Sequence, residues 1–234
     1  MRVLLSWSGG KDGAMALERL RRDPRIRVEG LLTTFSRVFG RVSMHGVRRE
    51  LILEQAEALG IPMVPMEVAS PAADGGGLGE FASNAAYEEA FGDALRRARE
   101  DGIDAIAFGD IFLADLRRYR EALLAGAGLS GLFPLWGERT DDLLGALVGG
   151  GWRATVVCVD GSRLSADWTG RMIGETFAGD LPAGVDPCGE NGEYHTFVHD
   201  GPGFARAVDF APGPRVFRDP FWFVDLVPRR KAAE

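Results

Sequence analysis

Val3-Leu4-Leu5-Ser6-Trp7-Ser8-Gly9-Gly10-Lys11-Asp12-Gly13 sets the reading of the whole chain. Val3–Ser6 is an apolar run of strand length, Ser8-Gly9-Gly10 turns the chain, and Ala14, Leu17 and Leu20 then recur at helical spacing. Asp12 is placed as the N-cap of that helix. A buried strand that turns through glycines into a helix leaves free backbone N–H groups at the helix start, where the dipole favours an anion. The glycines let an anion approach the backbone without meeting a Cβ. Ser8 adds a hydroxyl donor, Lys11 a positive charge, and Asp12 a carboxylate suited to capping or to holding a cation. Two rival phosphate patterns fail. The chain has no G-x-x-x-x-G-K-[ST]. Ser8-x-Gly10-x-x-Gly13 lacks the first glycine of a dinucleotide fingerprint, and the next strand ends Leu32-Thr33-Thr34-Phe35 with no acid to meet a ribose.

The rhythm continues outward from this corner. Val28–Thr34 reads as a second buried strand. Val47, Leu51, Ile52, Ala56 and Leu59 form a helix stripe that Gly60 stops, and Pro62–Val68 is a third strand. Tyr87, Ala90, Phe91, Ala94, Leu95 and Ala98 mark an amphipathic helix; Ala105–Phe108 is a fourth strand ending at Gly109-Asp110; Phe112, Leu116, Tyr119 and Leu123 continue as a helix. Alternating strands and helices imply an α/β fold, a parallel sheet with helices on both faces. Ligands of such sheets bind at the carboxyl ends of the strands. The Ser8 corner, Thr33-Thr34 and Gly109-Asp110 all fall there and are expected to share one site.

After about residue 130 the pattern changes. Gly131–Gly137 reads as a loop-like join, Thr140–Val148 as a helix, and Ala154–Val159, Tyr194–Val198, Ala205–Phe210 and Trp222–Val227 as strands. The expected organisation is an α/β domain over 1–130, a smaller α+β domain over 131–228 and a polar tail over 229–234. The Gly/Ala-rich stretch Ala69–Gly79 reads as a surface loop rather than a lid.

Composition bounds the alternatives. At 234 residues and 46% hydrophobic the chain buries roughly three quarters of its unfolded surface, so no staple is needed. A net charge of −7 argues against a nucleic-acid partner. The two cysteines, Cys158 and Cys188, form no C-x-x-C pair, which excludes a zinc ribbon and fits a reducing compartment. There is no signal-peptide pattern and no run of about 18 apolar residues, so a cytoplasmic protein with no membrane span is expected.

A second constellation lies at Asp186-Pro187-Cys188-Gly189-Glu190-Asn191-Gly192-Glu193-Tyr194-His195-Thr196. It is a polar loop running into a strand, with carboxylates for a cationic group, an amide that donates and accepts, and a histidine suited to moving a proton near neutral pH. A self-satisfied loop is the equal alternative from residue types alone. His45 precedes a helix with Arg48 one turn in; facing the sheet's carboxyl edge the pair would suit phosphate or carboxylate, the alternative being an incidental loop histidine. On the helix after Asp110, Arg120 reads as part of a solvated face with Glu121, and Arg117 or Tyr119 as the position facing the cleft.

Trp7-Ser8-Gly9-Gly10-Lys11-Asp12 resembles the PP-loop of ATP pyrophosphatases of the adenine nucleotide α-hydrolase superfamily; Gly13 departs from its usual Ser or Thr, so one phosphate-binding hydroxyl is missing. Gly189–Thr196 resembles the signature of the diphthine–ammonia ligase family, whose bacterial branch is also matched at Ser43–Arg48, Phe108–Phe112 and Arg117–Glu121. The resemblance implies a Rossmann-like (HUP-type) sheet with a substrate-recognition domain behind it. It implies ATP, with Mg²⁺, cleaved to AMP and pyrophosphate to adenylate a carboxylate that then takes ammonia or an amine. ATP would sit on Ser8, Gly9, Gly10, Lys11, Asp12, Gly13, Thr33, Gly109 and Asp110, and Mg²⁺ on Asp12 and Asp110. The carboxylate, small or protein-borne, would meet His45, Arg48, Glu190, Asn191, Glu193, His195 and Thr196. Lys11, Asp12, Asp110 and His195 would be catalytic. A homodimer is compatible with these features. The competing expectation is a sensor that holds adenine nucleotide without turning it over, for which Gly13 is the best support.

Overall fold

The computed structural model describes residues 1–69 and 84–229. The stretch Ala69–Gly79 therefore lies, after Ala69, outside the described residues, as does the tail after Arg229. The first half folds as β1 (Arg2–Ser6), α1 (Lys11–Arg22), β2 (Arg27–Ser36), α2 (Arg49–Leu59), β3 (Met63–Val68), α3 (Asn84–Glu100), β4 (Ala105–Ala107), α4 (Ala114–Gly126) and β5 (Ser130–Leu132). The strands pair in parallel in the order β3-β2-β1-β4-β5. β1 and β4 are central and buried along their cores, because their short apolar runs have neighbours on both edges and helices on both faces.

Alternation divides the sheet's side chains between two cores. Leu4, Leu32 and Ile106 face α3 and α4, meeting Phe91, Leu95 and Leu124. Val3, Leu5, Leu31 and Ala107 face α1 and α2, meeting Leu17, Leu51 and Ile52. Each such aliphatic side chain withdrawn from water contributes about 1.5–3 kcal/mol. Gly60 ends α2 in the left-handed conformation expected of a glycine stop.

The second half begins with α5 (Thr140–Gly149), β6 (Arg153–Asp160) and the short α6 (Phe177–Asp180). It closes with β7 (Tyr194–Asp200), β8 (Phe210–Arg218) and β9 (Phe221–Pro228), in an antiparallel sheet of order β7-β6-β9-β8. Val156, Val159, Phe197 and Leu226 of this sheet join the same apolar cluster as Leu5, Leu17 and Ile52 of the first half.

Three local expectations are corrected. The strand placed at Ala205–Phe210 runs instead from Phe210 to Arg218. Ala205 N–H donates to Ala58 O and Val208 N–H to His199 O, so this stretch spends its donors elsewhere. Pro212 and Pro214 are tolerated because β8 is the edge of its sheet. Gly131 and Leu132, read as the start of a join, belong to the edge strand Ser130–Leu132 that pairs with β4. Asp12 is not the N-cap of α1: Gly10 takes that place with an extended backbone, and Asp12 sits inside the first turn.

Candidate active site

β1 delivers the chain to the sheet's carboxyl edge, where Trp7 N–H still pairs with Leu32 O. Gly9 then turns with φ +83°, and a Cβ there would lie 2.6 Å from Ile52 and 2.8 Å from Gln55, so the position admits only glycine. The turn is tied down by Gln55, a fully buried residue of α2. Its Nε2 donates to Gly9 O (3.0 Å) and to Val198 O, and its Oε1 accepts the Trp7 indole N–H at 3.0 Å. Gln55 lies four residues after Leu51 on the apolar stripe of α2, and a lone amide on such a face is the signal that could have found it.

The corner is completed from the far end of the chain. Val198 N–H of β7 donates to Gly9 O at 2.8 Å, and Lys11 N–H donates to Thr196 Oγ1 at 3.0 Å. Thr196 thus caps a donor that the helix cannot satisfy itself. On the other side, Gly109 follows β4 so closely that a Cβ would meet the Asp12 backbone at 2.8 Å. The first turn of α1 is therefore packed between the ends of β4 and β7.

These contacts frame a cleft of about 410 Å³. Ser8, Asp12, Gly13, His45, Gly109, Asp110, Glu190 and His195 line it, bringing together residues from opposite ends of the sequence. Gly9, Gly10, Lys11, Thr33, Arg48, Asn191, Glu193 and Thr196 do not line it. Thr33 is fully buried and its neighbour Thr34 lines the cleft instead, as strand alternation dictates. Arg48 is committed to Asp225 of β9, donating from Nε at 2.9 Å and Nη2 at 2.6 Å, and Arg41 adds a bond to the same carboxylate at 2.9 Å. The Arg48 hydrogen bonds, with Arg41, hold the Asp225 carboxyl below the usual range. Glu193 is a buried clamp, accepting from the backbone of Asp186 and Asn191 and from the Asn191 amide.

Arg120, read from the sequence as a solvated position, lines the cleft together with Tyr87. Its Nε lies 3.3 Å from Asp110 Oδ2, and its guanidinium stacks 4.2 Å over Phe108. Arg117 instead bonds Glu121 and stacks on Phe133 and Trp136, and Tyr119 donates to Glu88. A helical wheel says which face a residue is on, and not what strand end lies opposite.

Charge is distributed unevenly. Lys11 is 2% exposed and its Nζ donates to both Asp12 oxygens at 2.8 Å. Burial, the largest single influence, lowers its pKa, but Asp12, Tyr194 and Cys188 together outweigh burial and raise it. Asp110 is raised by burial and by Asp12, against Arg120. Glu190 Oε1 accepts N–H groups of Ile111 (2.8 Å) and Phe112 (3.4 Å). Burial, opposed by the Ile111 bond and aided by Asp12 and Asp110, pushes Glu190 up to about 7. His45 and His195 stand with ring centroids 4.6 Å apart. Burial lowers His45 to about 4 and His195 well below the usual histidine range, with each other's company and Lys11 adding to the effect on His195. His45 Nδ1 donates to Thr196 O at 3.1 Å, which fixes its neutral tautomer. Burial thus favours the uncharged form of His195, whose Nε2 is buried without a hydrogen-bond partner among the described residues. Cys188 is buried and pushed up to about 12, which leaves it a non-nucleophilic thiol. Among the described residues no group of three or more His, Cys, Asp or Glu is placed to hold a metal ion, and no helix is long and apolar enough to cross a membrane.

A five-stranded parallel sheet whose first corner opens on a carboxylate-lined cleft, with an antiparallel sheet closing that cleft from behind, defines a Rossmann-like α/β protein with an appended β-rich unit. The family model of the diphthamide synthase N-terminal domain matches residues 1–130, and that of the diphthamide synthase C-terminal domain matches residues 139–226. The chain belongs to the diphthamide synthase family. It is 26% identical over 228 residues to diphthine–ammonia ligase of Rattus norvegicus, and 26% identical over 231 residues to that of Mus musculus. Each match covers 89% of this chain and 82% of the relative.

Proposed function

We propose that the chain is an ATP-dependent, AMP-forming ligase that adenylates a carboxylate in the cleft and passes the acyl group to ammonia or an amine. The observation that carries this reading is the convergence in one cleft of the Ser8–Gly13 corner with Glu190 and His195 from the second half. The relatives' name, diphthine–ammonia ligase, supports the reaction class. In this reading the substrate carboxylate attacks the α-phosphorus and pyrophosphate leaves against the amides and hydroxyl of the corner. The nitrogen nucleophile then attacks the acyl carbon, and AMP leaves with the electron pair of the broken C–O bond. Catalysis is positioning and charge neutralisation, each lost charge contact being worth about 3 kcal/mol in the transition state.

Mg²⁺ would be held in this reading by Asp12 and Asp110. Asp110 Oδ2 is shielded from water and makes no hydrogen bond, its one contact being the 3.3 Å ion pair with Arg120, and Mg²⁺ bound to nucleotide takes its remaining ligands from phosphate and water. The ion would supply charge neutralisation at the departing pyrophosphate. Lys11, clamped on Asp12, would orient that carboxylate rather than touch phosphate directly. The test is incubation with Mg²⁺, ammonium, a mixture of metabolite carboxylates and ATP labelled at the α-phosphate. Labelled AMP with equal pyrophosphate is expected. ADP contradicts the chemistry, and ATP bound but unchanged identifies a nucleotide sensor.

A further inference from the structure

Among the described residues lining the cleft, Arg120 is the one Lys or Arg, set against the carboxylates of Asp12, Asp110 and Glu190. Lys11, the cation of the glycine corner, is withdrawn behind Asp12 and does not line the cleft. His45 and His195 carry no charge to offer an anion at neutral pH. An anionic ligand entering this cleft therefore finds one cationic side chain there. Arg120 is built for the task. Its ring-stacked guanidinium lies over Phe108 at 4.2 Å, and its Nε stands 3.3 Å from Asp110 Oδ2. Neither Nη atom makes a hydrogen bond among the described residues, which leaves the planar fork that recognises two oxygens of one oxyanion. Its side chain is 20% exposed, enough for a ligand to reach and little enough to strengthen the contact. Its position is set by the strand end that also abuts α1: Gly109 packs on the Asp12 backbone, and Asp110 holds Arg120.

We propose that Arg120 is the cationic phosphate-binding side chain of the cleft, its guanidinium stacked on Phe108 and held by Asp110 so that its free fork receives a phosphate group of the bound nucleotide. The assignment rests on the reading of the chain as an ATP-binding enzyme. Calorimetric titration of the full chain with ATP, AMP and adenosine, in excess Mg²⁺, tests it on wild type, Arg120→Gln and Arg120→Lys. Arg120→Gln is expected to weaken ATP binding about 10- to 100-fold, the range of a charge-assisted hydrogen-bonded contact, and to leave adenosine binding unchanged. Arg120→Lys, which keeps the charge and loses the fork, is expected to fall between. Loss for AMP as well as ATP would place the fork on the α-phosphate; loss for ATP alone would place it on the outer phosphates. Equal losses for adenosine would overturn the proposal, since Arg120 would then shape the pocket and not bind phosphate. A wild type that ignores ATP sinks the functional reading and this assignment together; a wild type that binds ATP, matched by Arg120→Gln, sinks the assignment alone.

Discussion

Glu190 is balanced by backbone N–H groups from Ile111 and Phe112 and, among the described residues, by no cationic side chain in hydrogen-bonding contact. That is why burial wins and its pKa stands at about 7 against an ordinary 4.5. A carboxyl raised in the folded state stabilises the fold most below its unfolded pKa, and that contribution is lost as pH rises through the folded value. The window here runs from 4.5 to about 7. Gln at this position keeps an oxygen for the Ile111 N–H and cannot ionise. Glu190→Gln is therefore expected to gain stability relative to wild type as pH is raised from about 5 to about 8. His45 moves in the opposite sense, its contribution present above 6.5 and lost as pH falls toward about 4, but it cancels in the comparison. Urea midpoints of the two chains across this range check the prediction, and a gap that does not change with pH counts against it. Gly13 has a steric account at the same scale. A Cβ there would lie 3.3 Å from the Trp7 ring, which Gln55 pins, so the space for the usual Ser or Thr is tight.

At the scale of elements, the join that matters is β7 on the start of α1. Thr196 uses both its groups there: Oγ1 accepts Lys11 N–H and its carbonyl accepts His45 Nδ1–H. Thr196→Val keeps the shape and strands the Lys11 N–H in a buried place, at a cost of about 1–3 kcal/mol. Thr196→Ser retains the acceptor and loses a methyl worth about 0.8 kcal/mol. Hydrogen exchange at the Lys11 amide separates the two effects: it should quicken in the valine variant and hold in the serine variant. Unaltered exchange in both would remove Thr196 from the role of cap. This join also marks where the sequence stops being readable. The parallel sheet was legible because its strands are apolar runs bounded by local punctuation, Gly9-Gly10 after β1 and Gly109 after β4. The cap of α1 was not, since its acceptor lies 185 residues away. β8 was hidden by Pro212 and Pro214, whose presence argues against a strand until its place at a sheet edge is known. The cleft residues contributed by strand ends were legible by position; Arg120 and Tyr87 were not, because each sits on a helix whose partner only the folded chain supplies.

On the scale of the whole molecule, the two halves share their interior. Leu5, Leu17 and Ile52 from the parallel sheet and its helices lie in one apolar cluster with Val156, Phe197 and Leu226 of the antiparallel sheet. Polar ties run across the same boundary: Gln55 to Val198, Glu190 to Ile111, and Arg41 and Arg48 to Asp225. Residues 1–130 and 131–228 remain our proposed division of the sequence, but neither stretch can bury its share of the cluster alone. Separation would expose the inner faces of α1 and α2 together with fully buried Gln55, whose amide would lose its partner on β7. Each uncovered aliphatic side chain costs about 1.5–3 kcal/mol, so a few of them consume most of the roughly 5–15 kcal/mol by which a chain like this is stable. A state with one half folded and the other open is therefore too costly to accumulate. Scanning calorimetry is expected to show one transition whose calorimetric and van't Hoff enthalpies agree, with far-ultraviolet dichroism and tryptophan fluorescence melting together. Two resolved transitions, or probes that melt apart, would mean that the halves meet across a surface and not through a common core, and the cleft between them would then be free to open.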